Sequence, residues 1–249
     1  MAGKRIILLL DGTWNDADYG EADTNIVRLR ELIAKSLNRS AVANSTSAVG
    51  SPTSSSVPTV VFYERGVGTG GFGDNYLGGV FGSGLERNIR RAYRFLCDKY
   101  DAGDQVFLFG FSRGAYTARS LAGFITATGL LKRENCTPVL ESKAWYFYRT
   151  NPKERFQSIA AELSRYVHYV DGPTIECLAV FDTVGARGIP IQWFKRENRD
   201  LYEFHDVELS PVSKTNLQAL AIDEHREAFP AAVWRRPEPQ LASNVTEQV

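Results

Sequence analysis

Short runs of apolar residues alternate along the chain with longer stretches in which apolar residues recur every three or four positions. Such short runs are typical of strands that are buried on both faces of a parallel sheet. They predict strands at Ile6–Leu10, Thr59–Tyr63, Gln105–Phe109 and Ile175–Phe181. Strands that alternate with amphipathic helices indicate an α/β fold, in which helices cover both faces of a mostly parallel sheet.

The stretches between these strands have helical periodicity. Helices are predicted from Thr24 or Asn25 to Leu37, from about Leu85 to Tyr100, from Arg113 to about Thr128, through most of 140–168 and from Leu217 to Phe229. Two segments lack periodicity: residues 40–58 are expected to be a flexible surface insertion, and the glycine-rich Gly66–Gly84 a loop. No internal repeat is evident, so residues 1–249 are expected to form a single domain.

Length, composition and charge fit one ordinary globular domain. Of the 249 residues 43% are hydrophobic, and 29 basic residues balance 29 acidic ones. A net charge of zero gives no general attraction to nucleic acid, so no nucleic-acid partner is expected. The apolar run Ile6–Leu10 is too short for a signal peptide, and no stretch approaches the ~18 apolar residues of a transmembrane segment. A cytoplasmic location is expected, and secretion by a signal-independent route would leave no trace in the sequence.

The three cysteines do not indicate a disulfide framework or a metal site. Cys97, Cys136 and Cys177 are odd in number, far apart and without a CxxC pair. We therefore expect reduced thiols in the core, with no metal and no cofactor.

A G-x-S-x-G motif, Gly110–Gly114, lies between an apolar strand and an alanine-rich helix. A serine at such a tight turn projects above the sheet as a nucleophile, and the flanking glycines let strand and helix approach each other. The pattern predicts Ser112 as the nucleophile and the backbone N–H of Arg113 as one oxyanion donor. A structural turn is the alternative, because a bare match to this motif also arises by chance.

Two further strand ends carry candidate residues. In this kind of fold the triad acid follows a later strand, and Asp182 comes directly after Ile175–Phe181. A turn or helix-capping aspartate is the other interpretation of Asp182. Gly12 is the candidate for the second oxyanion donor, since glycine permits close backbone approach. Asp11 is a candidate for orienting that loop or binding a cation, and ordinary turn chemistry explains Asp-Gly equally well.

The histidine base is left open by the sequence. His168 precedes Asp182, which is the wrong order for a Ser–Asp–His triad, whereas His205 follows it in a polar stretch. His225 falls in the predicted helix Leu217–Phe229, where a solvated side chain is the simpler expectation.

A rival motif in the glycine-rich loop is weaker. Gly68–Gly73 is formally G-x-G-x-x-G after a strand, but a dinucleotide site needs the third glycine inside an opening helix. The predicted helix begins about ten residues too late, so a loop over the active cleft or a plain connector is favoured.

Four segments together resemble the DUF2235 family of α/β hydrolases, which includes the catalytic domains of Tle1-type phospholipase effectors of type VI secretion. These segments are Leu8–Asn15, Tyr63–Gly70, Leu108–Arg119 and Val180–Gly185. The resemblance covers nearly the whole chain. It implies a three-layer α/β-hydrolase-like fold and a serine esterase or lipase activity on an acyl ester or phospholipid. It also implies Ser112 as nucleophile and Asp182 as triad acid.

One family feature is missing from the sequence. The family histidine lies in a Gly-x-His-x-Asp-x-Gly-Gly segment after the next strand, and this chain contains no such segment. The chain ends at Val249, about where that strand would begin, so we expect a fold truncated before its last strand and histidine loop. The alternative function is then a catalytically incomplete, hydrolase-like scaffold that binds a partner or lipid.

Overall fold

A computed structural model describes residues 3–12, 23–37, 47–50, 57–66, 77–168, 174–183, 212–222, 233–234 and 245–248. Within these ranges seven strands form one sheet. They are β1 (Arg5–Leu10), β2 (Ser47–Gly50), β3 (Thr59–Glu64), β4 (Gln105–Phe111), β5 (Ile175–Phe181), β6 (Ser213–Ala219) and β7 (Val245–Gln248). Their order across the sheet is β2-β3-β1-β4-β5-β6-β7, and only β2 runs antiparallel to its neighbour. The mostly parallel sheet confirms the predicted fold class.

Helices cover the sheet on both faces. They are α1 (Asn25–Ser36), α2 (Leu77–Lys99), α3 (Arg113–Thr128), α4 (Pro138–Arg149) and α5 (Gln157–Leu163), with short 3-10 turns at Arg133–Asn135 and Pro152–Glu154. Successive strand residues point to opposite faces. Leu8 and Leu10 therefore pack in the core cluster that includes α2, α3 and α4, while Leu9 packs against Ile26 and Val27 of α1. The result is the expected three-layer α/β-hydrolase-like arrangement.

The predicted helix Leu217–Phe229 is wrong over its first residues, because Leu217–Ala219 belong to β6. The buried side chains of β6 are polar: they are those of Ser213, Asn216 and Gln218. Ser213 Oγ donates to Asn216 Oδ1, and the Trp234 amide donates to Gln218 Oε1. A strand with a polar buried face lacks the apolar alternation by which strands are recognised. Residues 223–229 of the predicted helix lie outside the described residues.

Three other boundaries differ from the sequence predictions. The segment 40–58, predicted to be an unstructured insertion, contains β2, which pairs with β3 at the edge of the sheet. Helix α2 begins at Leu77, inside the predicted loop Gly66–Gly84, although glycine normally disfavours a helix interior. A strand also stands where the fold was expected to be truncated, since β7 pairs in parallel with β6.

A buried ion pair ties α4 to α2. The carboxylate of Glu141 is 1% exposed and accepts two hydrogen bonds from Arg90, at 2.8 Å from Nε and 2.6 Å from Nη2. Because both oxygens are engaged by one guanidinium, the pair is bidentate, which is the strong form of this interaction. Arg90 therefore compensates the buried negative charge of Glu141.

We expect Arg90→Met to lower the free energy of unfolding by about 3 kcal/mol, because it leaves the Glu141 carboxylate buried without its cation. Urea denaturation measures this loss. The double variant Arg90→Met/Glu141→Gln should recover much of it, since no charge is then buried alone. A double variant no more stable than the single one would contradict this explanation.

Candidate active site

Ser112 occupies a strained turn between β4 and α3. Its backbone has φ 54° and ψ −116°, a region that residues other than glycine rarely adopt. Ser112 is the residue that precedes the helix, a position where serine usually accepts a hydrogen bond from the first helical turn. Here its side chain makes no such capping bond. The hydroxyl therefore does not cap the helix, as the hydroxyl of an ordinary serine at this position would.

The two glycines of the motif are required by close backbone contacts. A Cβ atom on Gly110 would lie 2.5 Å from the carbonyl oxygen of Gly114. A Cβ atom on Gly114 would lie less than 3.0 Å from the carbonyl oxygen of Leu10 and 2.7 Å from that of Asp11. The first contact confirms that the glycines let strand and helix approach each other. The second shows that the end of β1 also presses against this turn.

Ser112 and Asp182 follow neighbouring parallel strands at the same edge of the sheet. The amide of Ser112 donates to the carbonyl oxygen of Phe181 at 3.0 Å, and Phe181 directly precedes Asp182. The amide of Asp182 in turn donates to Ala219 at the end of β6, at 2.8 Å. Asp182 also has a positive φ, 42°. Both predicted residues are half-buried and lie on adjacent strand ends.

The amino-terminal end of α3 begins immediately after Ser112. Helix α3 is 16 residues long, and Arg113 is its first residue. The first amides of a helix have no partner within it and carry partial positive charge, which favours an anion at this point. Burial lowers the pKa of the Arg113 guanidinium to about 10, so its side chain remains charged at neutral pH. The surroundings of Ser112 are therefore electropositive on the helix side.

Asp11, directly after β1, is a buried carboxylate at the same edge. It is 3% exposed and accepts three hydrogen bonds, from the Gly12 amide at 2.8 Å, Thr24 Oγ1 at 3.0 Å and Tyr63 Oη at 3.0 Å. Burial raises the pKa of Asp11, and the three hydrogen bonds oppose that rise. The Gly12 amide, our predicted second oxyanion donor, is thus already engaged. An oxyanion role for Gly12 requires that this hydrogen bond be shared or exchanged.

Glu64 is a second buried carboxyl group at this edge, at the end of β3. Its Oε1 accepts a hydrogen bond from Arg91 at 3.1 Å, and its backbone oxygen accepts one from the Asp11 amide at 3.0 Å. Burial raises the pKa of Glu64 to about 7, and the Arg91 charge only partly opposes this rise. Glu64 therefore carries a proton for part of the time near neutral pH.

The structure separates His168 from Ser112. His168 packs edge-on against Tyr100, which lies before the amino end of β4, whereas Ser112 follows its carboxyl end. Seven strand residues span about 23 Å, so His168 is too distant to act as the base. His205 and His225 lie outside the described residues, as does the rival motif Gly68–Gly73.

The described ranges contain neither a cluster of metal ligands nor a helix suited to a bilayer. No group of three or more histidine, cysteine, aspartate or glutamate side chains there is arranged to hold a metal ion. Within the same ranges, no helix has both the length and the apolar character needed to cross a bilayer.

The sequence from residue 4 to residue 249 matches the family described as "T6SS, Phospholipase effector Tle1-like, catalytic domain". The chain belongs to this family. The match confirms the resemblance to DUF2235 hydrolases that the sequence segments indicated. Over 210 residues the chain is also 28% identical to the uncharacterized protein YEL023C of Saccharomyces cerevisiae, an alignment that spans 76% of this chain and 28% of the yeast protein.

Two solved structures are similar to the chain. One is the Tle1 effector bound to the VgrG spike of the type 6 secretion system, with a TM-score of 0.46 and 19% identity over 99% of this chain and 49% of the other. The second is a lipase/esterase from Lactobacillus plantarum, with a TM-score of 0.41 and 12% identity over 100% of this chain and 80% of the other. This family member thus spans about half of the Tle1 chain and less than a third of the yeast protein.

The sequence did not indicate that Tyr63 and Thr24 belong to the site. Thr24 was predicted only as a helix cap, and it does accept a hydrogen bond from the Val27 amide at 3.1 Å. Its hydroxyl also donates to Asp11, which no local pattern specifies. Tyr63 ends a predicted strand and begins one of the four segments that resemble the family, but neither pattern specifies its hydrogen bond to Asp11.

Proposed function

We propose that this chain is a serine hydrolase of carboxylic esters, with Ser112 as nucleophile and Asp182 as the acid of its triad. The observation that carries the proposal is the strained backbone of Ser112, whose hydroxyl does not cap the helix that follows. Backbone strain of about 1–3 kcal/mol persists only where the surroundings enforce it, and it is concentrated at functional sites. A turn that only connects β4 to α3 would have no need of it.

In the proposed reaction the Ser112 hydroxyl attacks the ester carbonyl while a histidine accepts its proton. Asp182 orients that histidine, for which His205 and His225 are the candidates that follow it in the chain. The Arg113 amide, at the start of α3, donates to the oxyanion, and Gly12 supplies the second donor when its bond to Asp11 is shared. The oxyanion collapses to an acyl-enzyme, and the protonated histidine gives its proton to the leaving oxygen, which departs as the alcohol. Water then attacks the acyl-enzyme and liberates the acid.

The proposed substrate class is an acyl ester of a lipid, with phospholipids included. Membership of the Tle1-like phospholipase family supports this class. The geometry of Ser112 supports acyl transfer in general, and fold alone does not select among esters.

A fluorophosphonate probe tests the proposal, because it reacts only with an activated serine. We expect the purified 249-residue chain to be labelled, with the adduct located on Ser112 by mass spectrometry of its peptides. Ser120 is a suitable internal comparison, since it is a buried serine on the same helix and should carry no label.

Heat-denatured protein serves as the control and should not react, because activation of Ser112 depends on the folded turn. A cooperatively folded chain that takes up no label, or takes it up at another serine, would overturn the proposal. That result would favour the alternative of a hydrolase-like scaffold without turnover.

A further inference from the structure

The carboxylate of Asp11 is fixed by groups from three different parts of the chain. Thr24, at the start of α1, and Tyr63, in β3, both donate to Oδ2, while the Gly12 amide donates to Oδ1. Burying an ionised carboxylate is costly unless such donors replace water. Burial and the neighbouring Asp11 charge raise the pKa of Tyr63, so its hydroxyl remains a donor. Oδ2 of Asp11 is thus bound to α1 and β3, and Oδ1 binds the backbone amide of the next residue, Gly12.

The peptide between Asp11 and Gly12 lies next to the Ser112 turn. The amide of Asp11 extends the β1–β3 ladder by donating to Glu64 at 3.0 Å. On its other side, the carbonyl oxygens of Leu10 and Asp11 lie so near Gly114 that no side chain fits between them. The first residue of the loop is therefore in backbone contact with the turn that carries the nucleophile. Asp11 connects this contact point to α1 and β3.

We infer that Asp11 is a positioning residue for acyl transfer, which holds the end of β1 in place against the turn that carries Ser112 and the Arg113 amide. This inference rests on the proposed function. Oxyanion donors act only when they are aimed at the site where charge develops, and a misplacement of about 1 Å is enough to reduce a rate by about a hundredfold. Asp11 acts through its hydrogen bonds and does not contact the reacting atoms.

The test compares Asp11→Ala with Asp11→Asn in the full chain, using saturation kinetics of fluorophosphonate labelling. Alanine removes the carboxylate that ties the end of β1 to Thr24 and Tyr63, so the backbone beside the Ser112 turn is no longer fixed. We expect the maximal labelling rate to fall at least about tenfold, with little change in the half-saturating probe concentration. Asparagine keeps an acceptor oxygen, and the Thr24 and Tyr63 hydroxyls can rotate to accept from its amide group. Asp11→Asn should therefore retain a rate within about threefold of the original.

Asp104→Ala is the matched control. Asp104 is also a buried aspartate, and it accepts hydrogen bonds from the backbone amides of Lys4 and Asp101. It directly precedes β4, at the opposite end of that strand from Ser112. We expect it to lower the melting temperature without slowing labelling of the folded protein. If Asp11→Ala does not fold, Tyr63→Phe removes one anchor of the same carboxylate and should slow labelling about two- to fivefold.

The possible results separate the two proposals. Labelling of the original chain with unchanged rates in Asp11→Ala, or in Tyr63→Phe where alanine does not fold, would overturn the positioning role alone. The positioning role would also be overturned if Asp104→Ala slowed labelling as much as Asp11→Ala does, because the slower labelling would then reflect a general loss of stability. A folded original chain that is not labelled would overturn the proposed function, and the positioning role with it.

Discussion

Ser112→Gly is expected to abolish ester hydrolysis and at the same time to raise the free energy of unfolding by about 1 kcal/mol. The loss of activity follows from removal of the nucleophile, which costs on the order of a millionfold in a serine hydrolase. The gain follows from the positive φ of Ser112, 54°, which glycine adopts without strain. Relief of about 1–3 kcal/mol of strain exceeds the roughly 0.5–1 kcal/mol of extra chain entropy that glycine loses on folding.

Ser112→Ala is the control that separates the two effects. Alanine also removes the hydroxyl, but its Cβ keeps the strain, so activity should vanish with no gain in stability. Hydrolysis of a p-nitrophenyl ester and urea denaturation measure the two quantities on the same preparations. Equal stability of the glycine and alanine variants would show that the turn is not strained, and turnover in either at a rate close to that of the original chain would exclude Ser112 as the nucleophile.

Gly114→Ala is expected to destabilise the chain by about 3 kcal/mol or more and to eliminate labelling of Ser112. The new methyl group would lie 2.7 Å from the Asp11 carbonyl oxygen and nearer still to that of Leu10. Both obstacles are backbone atoms, which cannot change rotamer to make room. Either β1 or the start of α3 must therefore shift, and overpacking of this kind typically costs 1–3 kcal/mol, occasionally more.

Gly123→Ala, in the same helix, provides the comparison. There a Cβ atom would meet only the Tyr148 side chain, at 3.5 Å from its hydroxyl, which is ordinary contact. Alanine is favoured over glycine in a helix interior by about 1 kcal/mol, so this variant should be slightly more stable than the original. Thermal unfolding of both variants measures the difference. Similar stabilities for the two would contradict the close contact at Gly114.

The strands around Ser112 were predictable because their signals are local. The runs at β1, β3, β4 and β5 are apolar on both faces, and the G-x-S-x-G motif specifies a turn by the residues of the turn itself. Placing Asp182 beside Ser112 needed only the rule that parallel strands end at one edge. The backbone bond between Ser112 and Phe181 agrees with that expectation.

The remaining elements depend on contacts that are distant in sequence. The last three residues of β6 were predicted as the start of a helix because the buried residues of this strand, Asn216 and Gln218 among them, are polar. Their burial is tolerated through partners such as Ser213 and Trp234. The hydrogen bonds of Asp11 likewise join residues 13 and 52 positions away. A pattern within one segment contains no information about such partners.

The strand ends at this edge are linked in series, and that linkage sets an order of events during synthesis. The amide of Ser112 has its acceptor only once Phe181 is present, and the amide of Asp182 has its acceptor only once Ala219 is present. The turn at Ser112 thus reaches its final shape after more than a hundred further residues have left the ribosome. Pairing between strands so far apart in sequence is intrinsically slow. A nascent chain therefore carries Ser112 long before the turn around it is complete, so under the proposed function hydrolysis starts only after Ala219 has been made.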